Sequence, residues 1–436
     1  MHYESPRLHP AGDSALLIEF GDEVDPAINA QVHALAKALR GQPVPGLGEA
    51  VPTYRSVLLH YDPGTLTYDE VVTVAEEALA RVGSHSPSQP RAVDVPTCYG
   101  GEFGPDLEFV ARHNGLTQED VIRLHGSVLY PLYMLGFSPG FAYLGGLSPA
   151  IATPRLSTPR TQVPAGSVGI AGEQTGIYPI TTPGGWQLIG RTPLQLFDPR
   201  RDPPTRLHPG DRVRFVPIDA DRFAELWEEE WEAGGQQAPV ESSSGSQGLE
   251  VIEPGLLTTV QDRGRHGYER LGVPVAGAMD PLALRAANTL VGNGPDAAGL
   301  EITINGPTLR ATADCLIAMG GADLGLRVNG QPIPTWMSAY VRRGWLIEFS
   351  GRRNGCRAYL AVAGGIAVPP LMNSRATYLR GGFGGFGGRA LQTGDLLPPY
   401  SDQPTVEVIL GPQAEAFPSA GLRTFLGNEY EISAET

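Results

Sequence analysis

The sequence contains 436 residues, which is too long for a single hydrophobic core, so we expect two or three domains. Its formal net charge is −15, and an acidic surface repels phosphate backbones, so nucleic acid is not expected as a partner. No apolar run approaches the ~18 residues that a membrane span needs. The N-terminal segment has no apolar signal core, and we therefore expect a cytoplasmic protein without a membrane partner.

The cysteines and the single lysine argue against several kinds of binding and catalytic site in this chain. The three cysteines, Cys98, Cys315 and Cys356, are far apart and indicate neither a disulfide framework nor a Cys-x-x-Cys metal site. Lys37 is the only lysine and lies in a predicted helix, so no phosphate-loop, Schiff-base or biotin-bearing lysine is expected. Any phosphate must therefore be held by arginines, backbone N–H groups or a metal ion.

Residues 1–90 alternate strand and helix patterns and are predicted to form a small α/β domain. Strand patterns cover residues 14–20 (SALLIEF) and 56–61 (SVLLHY). Between them, Asp25 is the predicted N-cap of an amphipathic helix that has proline at its first position. Thr67 and Glu70 form a capping-box pattern that begins a second helix. Residues 84–90 (SHSPSQP) are predicted to be a linker.

Residues 91–218 are predicted to form a β-barrel. They open with a strand pattern and two short helices, the second of which is capped at Thr117. Glycine, proline and β-branched residues then dominate, and short apolar runs separated by such turns are typical of barrels or sandwiches. Residues 207–215 (LHPGDRVRF) indicate a closing turn and strand.

Residues 219–248 combine an acidic helix with a flexible Ser/Gly-rich linker, and the main domain boundary is predicted there. Residues 249–436 form a further unit with one helix, capped at Asp280, and four strand patterns (LLTTV, LEITI, CLIAM and WLIEF). Residues 381–388 (GGFGGFGG) are of low complexity. The predicted fold class of the whole chain is α+β and mostly β.

Two short motifs match enzyme patterns but lack the context that the patterns require. Residues 136–140 (GFSPG) fit the Gly-x-Ser-x-Gly pattern of serine hydrolases, in which the N–H after the serine is an oxyanion donor. Here Pro139 follows Ser138 and has no N–H group. Residues 382–387 match Gly-x-Gly-x-x-Gly, yet no strand precedes them and no helix pattern follows. We expect a mobile surface loop there rather than a dinucleotide site.

Several arginines stand beside prolines in the predicted barrel. Arg155 and Arg160 follow prolines, and Arg191 precedes a Thr-Pro pair. Fixed guanidinium groups together with the N–H groups of glycine-rich turns would make an anion site. The alternative is that these are barrel corners with surface arginines, and residue chemistry leaves both open.

Polar residues next to turns are the remaining candidates. His125 ends a predicted helix and is either a proton-transfer group or a histidine that interacts with the helix dipole. His113 and His125 lack the His-x-x-x-His spacing of a zinc site. Asp262 lies in a polar loop, where it acts in a site or simply pairs with Arg265. Asp280 acts in a site or only caps its helix.

Long strings in both halves resemble known families. The first half resembles the family of the B-type subunit of 5-oxoprolinase, allophanate hydrolase subunit 1 and a sporulation-kinase inhibitor in YPLYMLGFSPGFAYLGGL, PRLSTPRTQVPAGSVGIAGEQTGIYP and GGWQLIGRTPLQLFDP. That resemblance covers nearly all of residues 1–218. The second half resembles the C-type subunit of 5-oxoprolinase and allophanate hydrolase subunit 2 in VQDRGRHGYERLGVPVAGAMDPLALRAANTLVGN and LEITINGPTL. The chain thus resembles a fusion of the two small oxoprolinase subunits.

This resemblance implies a cyclophilin-like β-barrel after the small α/β domain, and further cyclophilin-like structure in residues 249–436. It also implies that the two halves act together, since a tether keeps them at high effective concentration. Relatives of the C type normally continue further, with another Pro-Gly-Asp closing turn that this sequence lacks. We therefore expect the second half to be truncated, or to be completed by a separate chain.

The function implied by the resemblance is that of a component of ATP-dependent 5-oxoprolinase. Such a component would use ATP and Mg²⁺ to phosphorylate a small cyclic amide, 5-oxoproline, before a separate A-type subunit of 5-oxoprolinase opens the ring to L-glutamate. His125 and Asp280 are the candidate catalytic groups that handle protons, and no metal-ligating residues are predicted. The candidate substrate- and phosphate-binding residues are Arg160, Arg191, Gly184, Gly185, Trp186, Asp262, Arg263 and Asn288.

Two other functions stay open at this point. A carboxyltransferase module of the urea carboxylase or allophanate hydrolase type would need biotin from another chain, because Lys37 is not a suitable carrier. A non-catalytic regulator would bind a histidine kinase and would not turn over 5-oxoproline. The oligomeric state is also open, a homo-oligomer included.

Overall fold

The computed structural model describes residues 1–42, 44–82, 90–232 and 248–398. Most of the predicted linkers at 84–90 and 234–248, and the chain end at 428–436, lie outside these residues. In the described part, strands outnumber helices, which confirms the predicted mostly β fold class. None of the described helices is long and apolar enough to cross a membrane.

The first unit is an antiparallel sheet with two helices on one face. Its elements are β1 (His2–Pro10), β2 (Ala15–Gly21), α1 (Pro26–Arg40), β3 (Leu47–Pro52), β4 (Ser56–Tyr61) and α2 (Tyr68–Val82). The strands lie in the order β1-β2-β4-β3. The carboxylate of Asp25 accepts hydrogen bonds from the N–H groups of Ala27 and Ile28 at 2.8 and 3.1 Å, which confirms the predicted N-cap of α1.

The second unit is a closed barrel of seven strands. The elements from this region are β5 (Ala92–Tyr99), α3 (Leu107–His113), α4 (Gln118–Gly126), β6 (Tyr130–Leu135), β7 (Ala142–Leu144), a 3-10 turn (Pro149–Ile151), β8 (Arg160–Val163), β9 (Ser167–Ala171), β10 (Gln174–Ile177), β11 (Thr182–Gly184), β12 (Gln187–Arg191), β13 (Arg212–Ile218) and α5 (Ala220–Glu232). The barrel closes in the order β10-β7-β6-β13-β5-β12-β9, while β8 and β11 form a separate two-stranded ribbon. Strand β13 runs parallel to β5.

The second half contains two sheets that share one hydrophobic core. Its elements are β14 (Leu249–Glu253), β15 (Thr258–Gln261), α6 (Pro281–Leu290), β16 (Gly299–Thr303), β17 (Thr308–Ala311), β18 (Cys315–Asp323), β19 (Leu326–Val328), β20 (Gln331–Pro332), β21 (Ser338–Val341), β22 (Leu346–Phe349), β23 (Asn354–Val362) and β24 (Leu396–Leu397). The sheet orders are β20-β19-β22-β17-β14-β24 and β15-β16-β23-β18-β21. Up to residue 398, the strands of this half form these two sheets around their shared core.

One loop of the second half joins it to both units of the first half. The carboxylate of Glu49, on β3, accepts hydrogen bonds from the N–H groups of Glu269 and Arg270 at 2.8 and 3.1 Å, and from Nη1 of Arg270 at 2.9 Å. Next in the chain, Leu271 is buried in the barrel core, and its carbonyl oxygen accepts a hydrogen bond from the N–H of Gly140 at 2.8 Å. The two halves are therefore docked through paired polar groups beside buried apolar contacts.

Residues 381–388 take part in the same contact between the halves. The Phe383 ring is buried, and its centroid lies 5.5 Å from that of Phe197 in the first half. Phe386 is also buried, in the core between the two sheets. The sequence-based expectation of a surface loop is therefore wrong for most of this segment, because two aromatic rings spaced by glycines bury it from both sides.

We predict that Glu49→Ala weakens the docking of the halves. The Glu49 side chain is 6% exposed, so its removal leaves two N–H groups unpaired and should lower the free energy of unfolding by about 3 kcal/mol. Urea unfolding of the full chain measures this change. Glu250→Ala, which breaks the more exposed pair with Arg310, should cost less than about 1 kcal/mol; equal losses in both variants would contradict the prediction.

Candidate active site

The ribbon of β8 and β11 brings together four of the predicted site residues. Arg160 pairs with Gly184 across the ribbon, and its Nη1 donates to the carbonyl oxygen of Trp186 at 3.2 Å. The carbonyl oxygen of Gly185 accepts a hydrogen bond from the N–H of Leu156 at 2.8 Å. The ribbon thus brings these four residues together, although they are up to 26 positions apart in the chain.

The guanidinium of Arg160 already has an anionic partner. Its Nη2 donates to both carboxylate oxygens of Asp106, at 2.7 and 2.9 Å. Asp106 also accepts a hydrogen bond from the N–H of Leu188 at 2.6 Å. This two-point ion pair holds the ribbon against the barrel, so a phosphate could use Arg160 only by displacing Asp106.

Arg191 lies under helix α5. Its Nε donates to the carbonyl oxygen of Ala165 at 2.8 Å, and its guanidinium lies 4.6 Å from the centroid of the Trp227 ring. Burial lowers the pKa of Arg191. A guanidinium stacked on an indole is a stable arrangement by itself, which favours a structural role over the anion-binding alternative in this conformation.

Beside the ribbon lies a cluster of aromatic side chains, which we call the aromatic site. Phe141 is at its centre, and its ring centroid lies 5.1 Å from Tyr143, 5.2 Å from Tyr178 and 5.5 Å from Trp186. Tyr54 of the first unit adds a fifth ring, 5.9 Å from Tyr143. Of these rings only Trp186 was predicted from the sequence, although the aromatic-rich run at residues 137–143 was a signal for Phe141 and Tyr143.

Arg155 brings a positive charge to the aromatic site. Its guanidinium is exposed and lies 5.9 Å from the centroid of the Trp186 ring. Burial raises the pKa of Tyr54 and Tyr178 to about 12, and the charge of Arg155 opposes that rise. In the described part of the chain no carboxylate pairs with Arg155, so it is better placed than Arg160 to bind an anion. The rings meet edge to face, and Phe141, Tyr178 and Trp186 are buried, so the exposed guanidinium beside them is the group that can bind an anionic ligand.

The loop at residues 136–140 connects the aromatic site to the contact between the halves. Phe137 has a φ of 63° and is 63% exposed, and its ring lies 5.3 Å from Phe141. On the other side of the loop, a side chain at Gly272 would approach the Ser138 carbonyl oxygen to 2.6 Å, so only glycine fits there. Ser138 is buried and its Oγ has no hydrogen-bond partner in the structure, which agrees with the argument against a serine hydrolase.

His125 lies inside the barrel. It is fully buried, its Nδ1 is 2.8 Å from the Tyr99 hydroxyl, and its Nε2 is 2.9 Å from Oγ1 of Thr175. Its ring packs on Phe215, with the centroids 4.3 Å apart. Burial lowers the pKa of His125 from 6.5 to about 3. Because both nitrogens are used and no face reaches solvent, the geometry favours a structural role over proton transfer.

Asp262 organises a second loop instead of pairing with Arg265. Its carboxylate accepts hydrogen bonds from the N–H of Gly264 at 2.7 Å, from Oγ of Ser374 at 2.7 Å and from the N–H of Arg375 at 2.5 Å. These contacts tie residues 262–264 to residues 374–375. The alternative that Asp262 simply pairs with Arg265 is therefore not the one that the structure adopts.

The other predicted residues of the second half belong to separate networks. Arg263 is exposed and forms an ion pair with Asp296 at 2.9 Å. Asn288 is buried, and its Nδ2 donates to the carbonyl oxygen of Ala297 at 2.8 Å while its Oδ1 accepts from Asn293 at 2.9 Å. These contacts account for both residues as parts of the fold.

Asp280 lies beside a short hydrogen-bonded chain that the sequence analysis missed. Its carboxylate caps α6 by accepting from the N–H of Ala283 at 3.0 Å, as predicted. Its own N–H donates to the Tyr359 hydroxyl at 2.7 Å, and that hydroxyl donates to Glu301 at 2.8 Å. Burial raises the pKa of Tyr359. The Tyr359 phenol and the Glu301 carboxylate thus lie at the N-terminus of α6, where Asp280 is exposed to solvent.

Comparisons with known proteins agree with this architecture. The family described as "Carboxyltransferase domain, subdomain C and D" matches residues 6–207, and "Carboxyltransferase domain, subdomain A and B" matches residues 271–405. Over 233 residues the chain is 48% identical to the B-type subunit of 5-oxoprolinase from Bacillus subtilis (strain 168), which covers 51% of this chain and 97% of that protein. The crystal structure of TTHA0988 superposes with a TM-score of 0.77 at 36% identity, covering 92% of this chain and 78% of that one.

Two further relatives match shorter parts of the chain. Over 150 residues the chain is 43% identical to the C-type subunit of 5-oxoprolinase from Escherichia coli (strain K12), covering 34% of this chain and 48% of that protein. Over 157 residues it is 43% identical to a urea amidolyase of Lachancea kluyveri, covering 36% of this chain and 8% of that protein. The chain spans about half the length of the C-type relatives that it matches.

Together with the fold, these matches define a carboxyltransferase-type protein. The chain belongs to the carboxyltransferase domain family, and it joins a unit similar to the B-type subunit of 5-oxoprolinase to a unit similar to about half of the C-type one.

We predict a specific pH dependence of stability from His125. The unfolded chain takes up a proton near pH 6.5, whereas folded His125 stays neutral until about pH 3. Stability is therefore fully present above pH 6.5 and is lost as the pH falls, by about 3 kcal/mol between pH 6.5 and pH 4. His125→Gln should flatten urea-unfolding stability over that range relative to wild type, and His113→Gln, which changes an exposed histidine, should not. An unchanged pH slope in His125→Gln would contradict the prediction.

Proposed function

We propose that this chain acts as the combined B- and C-type component of an ATP-dependent 5-oxoprolinase and works with a separate A-type subunit. The observation that carries the proposal is that the aromatic site borders the surface where the two halves dock. Ser138 and Phe137 belong to one short loop, which contacts Gly272 on one side and the Phe141 ring on the other. Such an arrangement lets both halves act on one ligand.

The proposed reaction couples ring opening to ATP. The lactam oxygen of 5-oxoproline attacks the γ-phosphorus of ATP, an O–P bond forms, the bond to the bridging oxygen breaks and ADP leaves. The lactam nitrogen gives up its proton in this step. The separate A-type subunit then adds water to the activated carbon, the C–N bond breaks, the amine takes up a proton and γ-glutamyl phosphate forms. A second water attacks the carbonyl carbon of this acyl phosphate, the bond from that carbon to the phosphate oxygen breaks, phosphate leaves and L-glutamate forms. Phosphoryl transfer of this kind depends mainly on positioning and charge neutralisation.

We assign the anion-binding role at the aromatic site to Arg155. Arg160 would orient the ribbon through Asp106, and it or Arg191 would bind phosphate only after exchanging its present partners. The described residues contain no group of three or more His, Cys, Asp or Glu side chains that could hold a metal, so Mg²⁺ would enter on the phosphates of the nucleotide. We propose the carboxylates of Asp280 and Glu301 as acceptors for the lactam proton.

The likeness to urea amidolyase supports a second candidate, a carboxyltransferase module. Such a module would take carboxyl groups from biotin carried by another chain, because Lys37 is the only lysine of this one and lies on the exposed face of α1. Carboxyl transfer from a biotin carrier protein, without ATP hydrolysis dependent on 5-oxoproline, would favour this function.

We predict that Arg155→Met lowers kcat/KM for 5-oxoproline-dependent ATP hydrolysis by about 10- to 100-fold, since one charge-assisted contact is lost. The assay uses the purified chain with the A-type subunit, and ADP release is measured with and without 5-oxoproline. Arg343→Met, at an exposed position of the second half, is the matched control and should behave as wild type. Unchanged kcat/KM in Arg155→Met would remove Arg155 from the site, and a wild-type chain without coupled hydrolysis would overturn the proposed function.

A further inference from the structure

Among the described residues, Arg265 is a fully buried cation without an ion-pair partner. Its side chain is fully buried, and only one of its three guanidinium nitrogens is hydrogen-bonded, since Nη2 donates to the carbonyl oxygen of Ala376. Its Nε and Nη1 have no hydrogen-bond partner in the structure. A buried cation with three unpaired N–H groups is costly unless an anion compensates it.

The nearest carboxylate does not supply that compensation. The oxygens of Asp262 accept hydrogen bonds from Gly264, Ser374 and Arg375, and no ion pair joins Asp262 to Arg265 within the described residues. Burial lowers the pKa of Arg265 to about 10, against the opposing effect of Asp262, which leaves the guanidinium charged at neutral pH. The guanidinium also lies against the Phe383 ring, whose centroid is 5.0 Å from the guanidinium carbon.

Residues 381–388 cover this guanidinium. A side chain at Gly384 would come within 2.7 Å of Arg265 Nη2 and within 2.2 Å of the Ala376 carbonyl oxygen, so the backbone lies directly on the arginine. Toward the two ends of the segment, Gly382 and Gly387 are exposed and have φ of +67° and +66°, and a side chain added at either would meet no atom within 4 Å. These glycines adopt a backbone conformation that other residues rarely adopt, while Phe383 and Phe386 hold the segment between them in the hydrophobic cores.

We propose that Arg265 anchors a buried site for a small oxyanion, a carboxylate or a phosphate group, which residues 381–388 cover. The unpaired N–H groups of a guanidinium fork match the oxygens of either group. Two ligands could supply this oxyanion, the carboxylate of 5-oxoproline or a phosphate of the nucleotide, and the choice of these two rests on the proposed function. The existence of the site rests on Arg265 alone.

Hydrogen–deuterium exchange of the wild-type full chain tests this site. Exchange is compared in chloride and, at equal ionic strength, in acetate, 5-oxoproline or inorganic phosphate. We expect at least one oxyanion to slow the exchange of peptides that cover residues 376–388 by several-fold. Protection by acetate and 5-oxoproline identifies a carboxylate as the ligand, and protection by phosphate identifies a phosphate group. No protection by any of them in the wild type overturns the site.

Variants then test whether Arg265 is the anchor. Arg265→Lys keeps the charge and most of the volume but loses the planar fork, so the anion affinity measured by this protection should fall by about 10-fold or more. Arg285→Met, at an exposed position on α6, should keep wild-type affinity. Undiminished protection in Arg265→Lys would overturn the assignment. Since the measurement needs neither ATP turnover nor the A-type subunit, its failure is distinguishable from a failure of the proposed function.

Discussion

The structure depends on one buried carboxylate. Glu49 lies on a strand of the first unit and accepts hydrogen bonds from two consecutive backbone N–H groups and the side chain of Arg270 in the second half. These contacts fix the position of the loop whose next residue, Leu271, enters the barrel core. The hydrogen bonds of Arg270 to Glu49 and the buried side chain of the next residue, Leu271, thus hold the small α/β unit, the barrel and the second half in a fixed arrangement.

That arrangement decides which motifs meet. The loop at residues 136–140, the loop that begins at Asp262 and the glycine-rich segment at 381–388 are far apart in the sequence, yet all three lie at the contact between the halves. None of them is explained by its local pattern. Their shared feature is glycine at points where two backbones approach closely, as at Gly272, where no side chain fits against the Ser138 carbonyl oxygen.

The arginines show why residue type alone is a poor guide to an anion site. Arg160 is neutralised by Asp106, and Arg191 is stacked on Trp227. Both predicted phosphate-binding arginines therefore have partners within the fold. The arginines that stand out are Arg155, which lies beside aromatic rings without a carboxylate partner among the described residues, and Arg265, which is buried with two nitrogens unpaired. What distinguishes them is where they lie, Arg155 beside the aromatic rings and Arg265 buried with no ion-pair partner in the described part of the chain, which only the folded structure reveals.

The sequence by itself determined the elements that depend on short-range chemistry. The N-caps at Asp25, Thr117 and Asp280 were predictable because each carboxylate or hydroxyl bonds an N–H within three residues. The barrel was predictable for the same reason, because short apolar runs alternate there with glycine and proline turns. Only the tertiary structure decided the partners of the charged groups: Arg160 and Asp106 are 54 residues apart, and Glu49 and Arg270 are 221 apart. Such pairs leave no periodic trace in a single sequence, because their geometry arises only when distant segments pack against each other.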